Sequence, residues 1–255
     1  MELYEAHKLI INAKAIMHID GKMIVPRAET QSVLALLGRH SFEMISHLFK
    51  KESSNREDYT NLLTFLNILR FHALSPKIDS FDLNALQSLH KKLFHHIKGA
   101  GIIRKNNKEL ASASCIDFKL LPASLRSFFS HMNKLATRSA PSEKRVQPFS
   151  QKNSPTLAKN DFATLLASLY REFLILSPFI VGNTIVAKVF FEFFANSHKF
   201  SIEYNKVRAK EFNEAEVAAI VADDAKPLFN VFSECLVHLS EGCISHQYSL
   251  PQGIE

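Results

Sequence analysis

Imidazoles, thiols and one loop between apolar segments are the groups in this chain that could carry chemistry. His90, His95 and His96 lie close together in sequence, and such a group could ligate a metal or move a proton near neutral pH. His95 and His96 are adjacent, however, and neighbours diverge around a helix, so surface or core roles are favoured over a metal site. Cys115, Cys235 and Cys243 show neither Cys-x-x-Cys nor Cys/His finger spacing, and neither a zinc site nor a disulfide framework is expected. The remaining segment runs Ser177-Pro178-Phe179-Ile180-Val181-Gly182-Asn183-Thr184-Ile185, with Lys188 just beyond. Gly182-Asn183 reads as a turn that opens a helix, and Lys188 as either a bundle-end lysine or an anion ligand.

The elements that must hold these groups are helical in pattern. Leu3, Ala6, Leu9, Ile10, Ala13 and Met17 recur at helical intervals up to Asp20-Gly21. Pro26 is placed to start a second helix through Val33, Leu34 and Leu37, and Phe42, Ile45, Leu48 and Phe49 form the stripe of a third. Asn55 can cap a fourth, from Leu62 to Phe71, stopped by Ser75-Pro76. Asp79 or Ser80 caps the next, which bears Leu83, Leu86, Leu89, Leu93, Phe94 and Ile97. Gly99 to Leu121 breaks the period and predicts a hairpin or flap. Helical spacing returns at Pro122 to Leu135, then at a helix capped by Asn160-Asp161 and interrupted at Pro178. The segment from Ile185 to about Ser197 is apolar on more than one face, as in the central helix of a bundle. Two last helices are predicted near Glu214 to Asp224 and Pro227 to Leu239.

Composition agrees with helices and bounds the function. With 21 Phe, no Trp, 7 Gly and 9 Pro in 255 residues, there is a large apolar core and little punctuation for many short strands. The formal charge of +6 comes from cations spread along the chain, so a solvated mixed surface explains it better than a nucleic-acid or lipid site. No apolar run reaches the roughly 20 residues that span a bilayer. The odd cysteine count and the acidic start of the chain favour the cytoplasm over export by a cleaved signal, with delivery into a host cell as an effector left open. Residues 137–160 shift to Ser, Pro, Lys and Gln, and carry Arg138, Lys144, Arg145, Lys152 and Lys159 against Glu143 alone, which reads as a solvated flexible loop. The expected organisation is an N-terminal helical region over 1–75, a core domain over 76–241 with the 137–160 insertion, and a tail over 242–255.

The loop resembles the signature of the Fic/Doc family, His-Pro-Phe-x-Asp/Glu-Gly-Asn-Gly-Arg-x-x-Arg between two core helices; Pro178, Phe179, Gly182 and Asn183 match it in place. Leu89-His90-Lys91-Lys92-Leu93-Phe94 is similar to the family's Leu/Ile-His-x-x-Leu-Phe helix, and Ala100-Gly101-Ile102-Ile103-Arg104 to the step that follows it. The likeness covers about residues 79 to 240. It implies an all-α Fic-type bundle with a small β-hairpin flap after Arg104 and extra N-terminal helices. Ser53 to Glu57 carries the first half of the family's inhibitory-helix pattern, and Asp58 departs from it at the last position.

The resemblance also implies an activity, transfer of AMP from ATP to a protein hydroxyl, and a division of labour among the signature residues. The histidine is the general base, the acidic residue holds magnesium, backbone amides at the helix start cradle phosphates, and the arginines bind phosphate oxygens. Here Ser177 stands at the base position, Val181 at the acidic one, Thr184 at the second glycine, Ile185 and Lys188 at the arginines. Serine has no useful basicity near neutrality, valine offers a metal no lone pair, and a Cβ at Thr184 strains the cradle if φ is positive there. The residues kept are the structural ones: Pro178 and Phe179 shape the loop, Arg104 supports the flap base. Gly182, Asn183 and Lys188 remain as candidate nucleotide or anion ligands. No catalytic group and no metal ligand is assigned, ATP is carried as a candidate ligand, and magnesium is not expected to be held. The expectation is a degenerate family member that binds a protein partner. The alternative is a divergent transferase with a substitute base, for which His90 and His198 are candidates; nucleic-acid binding is disfavoured.

Overall fold

A computed structural model describes residues 11–13, 15–17, 56–74, 80–139 and 158–239. Its elements are α1 (Arg56–Leu74), α2 (Leu83–Leu93), β1 (Glu109–Leu110), β2 (Ala113–Ser114), α3 (Leu121–Ser139), α4 (Lys159–Leu176), α5 (Asn183–Ser197), β3 (Phe200–Ile202), a 3-10 turn (Tyr204–Lys206), α6 (Ala209–Val221), α7 (Lys226–Cys235) and β4 (Leu236–His238). Helices dominate, and the fold is the helical bundle with a small flap that the sequence predicts. The second and third predicted helices, most of the 137–160 loop and the 242–255 tail lie outside the described residues.

The bundle is organised around α5 because that helix has no apolar stripe to choose between: Val186, Ala187, Val189, Phe190, Phe191, Phe194 and Ala195 are all fully buried. A helix apolar all round must be enclosed, and α2, α4 and β3 pack against it. Each phenylalanine so enclosed contributes about 1.5–3 kcal/mol of burial. Phe81 stands edge-on to both Phe190 and Phe194, at 5.6 and 5.3 Å between centroids, which places the start of α2 on the same core.

Two charges interrupt this apolar helix, Lys188 and Glu192, one turn apart and both buried. Each is paired, as a buried charge must be. Glu192 accepts from His72 of α1 at 3.0 Å and from Asn12 at 3.4 Å. His72 holds its other nitrogen 2.8 Å from the Ile68 carbonyl, so both ring nitrogens face acceptors. Burial opposes a charge on His72, but the attraction of Glu192 and these hydrogen bonds outweigh it and raise the pKa. The pair, with Phe71 edge-on to Phe193, ties α1 to the central helix.

Local chemistry moved several predicted boundaries. Asp82, not Asp79 or Ser80, caps α2, its Oδ1 accepting from Ala85 N at 2.8 Å while Ser80 donates to Asp82. Helix α2 ends at Leu93, so Phe94 and Ile97 lie in the turns that follow. Helix α4 starts at Lys159 with no side-chain cap, although Asn160-Asp161 had the composition of one. The last predicted helix stops at Cys235, because Leu236–His238 pairs antiparallel with Phe200–Ile202; three residues are too few for period-two alternation to register. The flap is the expected hairpin, with Glu109 opposite Ser114 and Leu110 opposite Ala113.

The signature loop as candidate functional site

Two left-handed residues bracket the loop. Ser177 ends α4 at φ 40°, ψ 62°, its N–H bonded to the Phe173 carbonyl, and Gly182 precedes α5 at φ 73°. A non-glycine at positive φ is uncommon, and Ser177 keeps it because the residues on either side are fixed. Pro178 O accepts from Arg104 N at 2.9 Å. Phe179 is fully buried and its ring stacks 3.8 Å from that of His90. The Asn183 amide closes the bend as a backbone group would, accepting from Phe179 N at 2.9 Å and donating to Phe179 O at 2.8 Å.

Gly182 is required twice over. Its φ lies where a side chain is disfavoured, and a Cβ there would fall 2.3 Å from Cζ of Phe94. Phe94 cannot swing aside easily, since it is buried and packed at 4.7 Å on the His90 ring. Thus the Leu-His-x-x-Leu-Phe segment and the loop are one packing unit.

Arg104 joins the loop to the flap. Its guanidinium is buried and donates to the carbonyls of Ser177 (2.9 Å), Leu176 (3.2 Å), Ile116 (2.5 Å) and Asn106 (2.7 Å). Four carbonyl dipoles disperse its charge in place of a carboxylate. Lys108 adds a second cation from the flap, donating to Ile180 O at 2.7 Å and Phe179 O at 3.4 Å. Sequence reasoning missed Lys108; nothing in its spacing marks it, because the contact depends on how the hairpin folds back.

The proton-transfer candidates fare poorly. Ser177 is fully buried and its hydroxyl has no hydrogen-bond partner. His90 accepts from Gly101 N at Nδ1 (2.9 Å) and donates from Nε2 to Val181 O (3.0 Å). Those partners fix one neutral tautomer and leave no free lone pair; burial lowers its pKa, against the bond to Val181. His90 is therefore a strut under the loop, joining Val181 to Gly101. His198 sits beyond the far end of α5, about 22 Å along the helix from the loop by its rise, and packs on Phe162 and Phe194. Both nitrogens of His90 are thus engaged by backbone groups, and His198 lies at the opposite end of α5 from the loop.

Lys188 is also not where an anion ligand should be. It is fully buried, with Nζ 4.0 Å from the Phe212 centroid and 5.6 Å from that of Tyr204. Burial lowers its pKa to about 8, opposed by the attraction of Glu216, which in turn accepts from Tyr170 OH at 2.5 Å. This corrects the sequence expectation: Lys188 faces the α6 side of the core. The predicted strain at Thr184 is absent too, since Thr184 is an ordinary helical residue of α5.

Metal binding finds no support in the side chains. Val181 is 42% exposed with nothing to offer a cation, and among the described residues no cluster of three or more His, Cys, Asp or Glu could hold one. Magnesium does not fit this site. His96 is wedged beside Thr64 at 3.3 Å, its pKa lowered to about 4 by burial and by His95. Cys115 and Cys235 are free and buried, and Cys243 lies outside the described residues; so does the Glu57 side chain. What the loop retains is a rigid bend leading into a helix start that no side chain caps.

Comparison with known proteins agrees with this architecture. Residues 80–195 match the Fic/DOC family. No curated protein matches the chain. Among solved structures, the BepC protein of Bartonella tribocorum, a VirB-translocated effector with bound AMPPNP, is similar at 15% identity and TM-score 0.59 over 72% of this chain and 87% of that one. The N-terminal Fic domain of a Bartonella quintana Bep effector with bound ADP is similar at 15% identity and TM-score 0.61, over 74% and 87%. A Fic-domain signaling protein of Bacteroides thetaiotaomicron is similar at 14% identity and TM-score 0.54, over 91% and 82%. Among the described residues no helix is long and apolar enough to cross a membrane. Residues 80–195 are thus similar to the Fic/DOC family, and the order of the motifs and the flap agree with that match.

Proposed function

We propose that this chain is a Fic-fold interaction protein that has given up nucleotide transfer and acts by holding a protein partner. The observation that carries the reading is Ser177: at the position of the general base stands a buried hydroxyl with no imidazole or carboxylate among its hydrogen-bond partners. Loss of a general base alone commonly costs ~10²–10⁴ in rate, and the loop also lacks a metal holder and both guanidinium groups. Against a divergent transferase stand the occupied nitrogens of His90 and the remote place of His198. Nucleotide binding without transfer would need only the uncapped start of α5, whose amides and dipole attract phosphate. The test is calorimetry with ATP, with and without magnesium. Whatever weak affinity ATP has, magnesium should leave it unchanged; a gain on adding magnesium that Asn183→Ala removes would overturn the proposal.

A further inference from the structure

Two segments that meet at the signature loop carry no carboxylate along their length, and among the described residues Asp117, beside Ile116 at the flap base, is a nearby acid outside them. No Asp or Glu occurs between Leu83 and Lys108, or between Phe173 and Phe191, while Lys91, Lys98, Lys105 and Lys108 fall within the first of these segments. Lys91, Lys98 and Lys105 are exposed and Lys108 half-buried. At the bounds of these segments stand Asp82, at the opposite end of α2, Glu172, one turn before the loop, and Glu109, on the flap beside Lys108. The basic border is therefore one-sided on the α2 and flap edges of the loop.

Inside that border lie aliphatic side chains facing solvent: Ile180 at 64%, Ile102 at 57% and Val181 at 42% exposure. Hydrogen bonds show that they are neighbours. Val181 O meets His90 Nε2, and His90 Nδ1 meets Gly101 N, directly before Ile102. Ile180 O meets Lys108. These bonds also hold the patch rigid, so a partner would not have to order it on binding, a cost that commonly reduces affinity.

We infer that this patch, the exposed Ile102, Ile180 and Val181 bordered by Lys91, Lys98, Lys105 and Lys108, is a docking surface for an acidic protein segment that presents an apolar side chain. The inference rests on the reading of the chain as an interaction protein. Charge complementarity selects an acidic occupant, since a basic rim steers and orients an anionic partner. The aliphatic centre selects a peptide among anions. Single-stranded nucleic acid binds through aromatic stacking and membrane interfaces through Trp and Tyr, whereas the large hydrophobic residues exposed among the described ones are all Ile, Leu or Val.

The test is selection of displayed random peptides on the full chain, followed by affinity measurement of the enriched sequences by fluorescence anisotropy. Enriched peptides should combine several Asp or Glu with an apolar residue. Their affinity should fall by about tenfold in Ile180→Asp and in Lys105→Glu, and stay unchanged in Val217→Asp on α6. Both altered positions are exposed, and circular dichroism checks that each variant folds. Absence of enrichment, a consensus without acidic residues, or affinity indifferent to Ile180 and Lys105 overturns the proposal. So does tighter binding of a single-stranded oligonucleotide or of phosphatidylserine vesicles with the same sensitivity to Ile180→Asp. Failure here leaves the loss of nucleotide transfer standing, because that is read separately, by incorporation of label from α-phosphate-labelled ATP with the same protein.

Discussion

Arg104→Met should lower the thermal midpoint by on the order of 10 °C. The side chain is buried and donates to four carbonyls, those of Asn106, Ile116, Leu176 and Ser177. Methionine fills similar volume but donates nothing, and each buried acceptor left unpaired costs about 1–3 kcal/mol. Carbonyls keep a second lone pair and water can enter at the flap edge, so the lower end applies, about 4 kcal/mol in total. Arg104→Lys should recover only part of this, because an ammonium keeps the charge but cannot reach from α4 to the flap with a planar fork. Hydrogen exchange gives the specific signature: protection should fall first around Ile116 and Ser177, the two strands of backbone that the guanidinium joins. A shift of only a degree or two would mean that the flap and loop are held by other contacts.

Gly182→Ala should cost about 3 kcal/mol, from two separable sources. The left-handed conformation penalises a Cβ by about 1–2 kcal/mol, and the overlap with Phe94, 2.3 Å from the added atom, adds about 1–3 kcal/mol of overpacking. A double-mutant cycle separates them. Phe94→Leu shortens the side chain that Gly182 faces, so the cost of Gly182→Ala in that background should drop to the conformational part alone. Additive effects in urea unfolding of the single and double variants would contradict the contact.

The same two positions explain how much was legible beforehand. Gly182 and Asn183 stand out in sequence because the bend they make depends on residue type: one lacks a Cβ, the other carries an amide that imitates a peptide group. Arg104 was legible as flap support through its motif. The order of helices was legible because apolar residues recur at helical spacing over ten or more residues. Lys188 was misjudged because a lysine in an apolar helix reads as a surface or ligand charge unless Glu216, Phe212 and Tyr204 are known to surround it, and those come from α6 and the turn before it. His90 was likewise ambiguous. Its two hydrogen-bond partners are backbone groups, at Gly101 and Val181, which no side-chain pattern announces. The β3–β4 ribbon escaped notice because each strand has three residues and depends on a partner 34 or more positions away.

The losses in the loop are of one kind. The positions that the family resemblance assigns to proton transfer and metal binding hold Ser177 and Val181, while the residues that shape backbone are all engaged: Asn183 on Phe179, Gly182 under Phe94, Arg104 across to the flap. Had the whole loop drifted, these contacts would have drifted with it. A scaffold kept under such tight packing, with its reactive positions filled by Ser177, Val181 and Ile185, fits a protein used for its surface.

Transfer of label from α-phosphate-labelled ATP, and separately UTP, in the presence of magnesium tests this most directly. Incorporation into the chain itself and into candidate partners should stay at background, both for the natural sequence and for Ser177→His, because one restored imidazole replaces neither the metal holder nor the guanidinium groups. Robust incorporation by the natural sequence that Asn183→Ala abolishes would contradict the account.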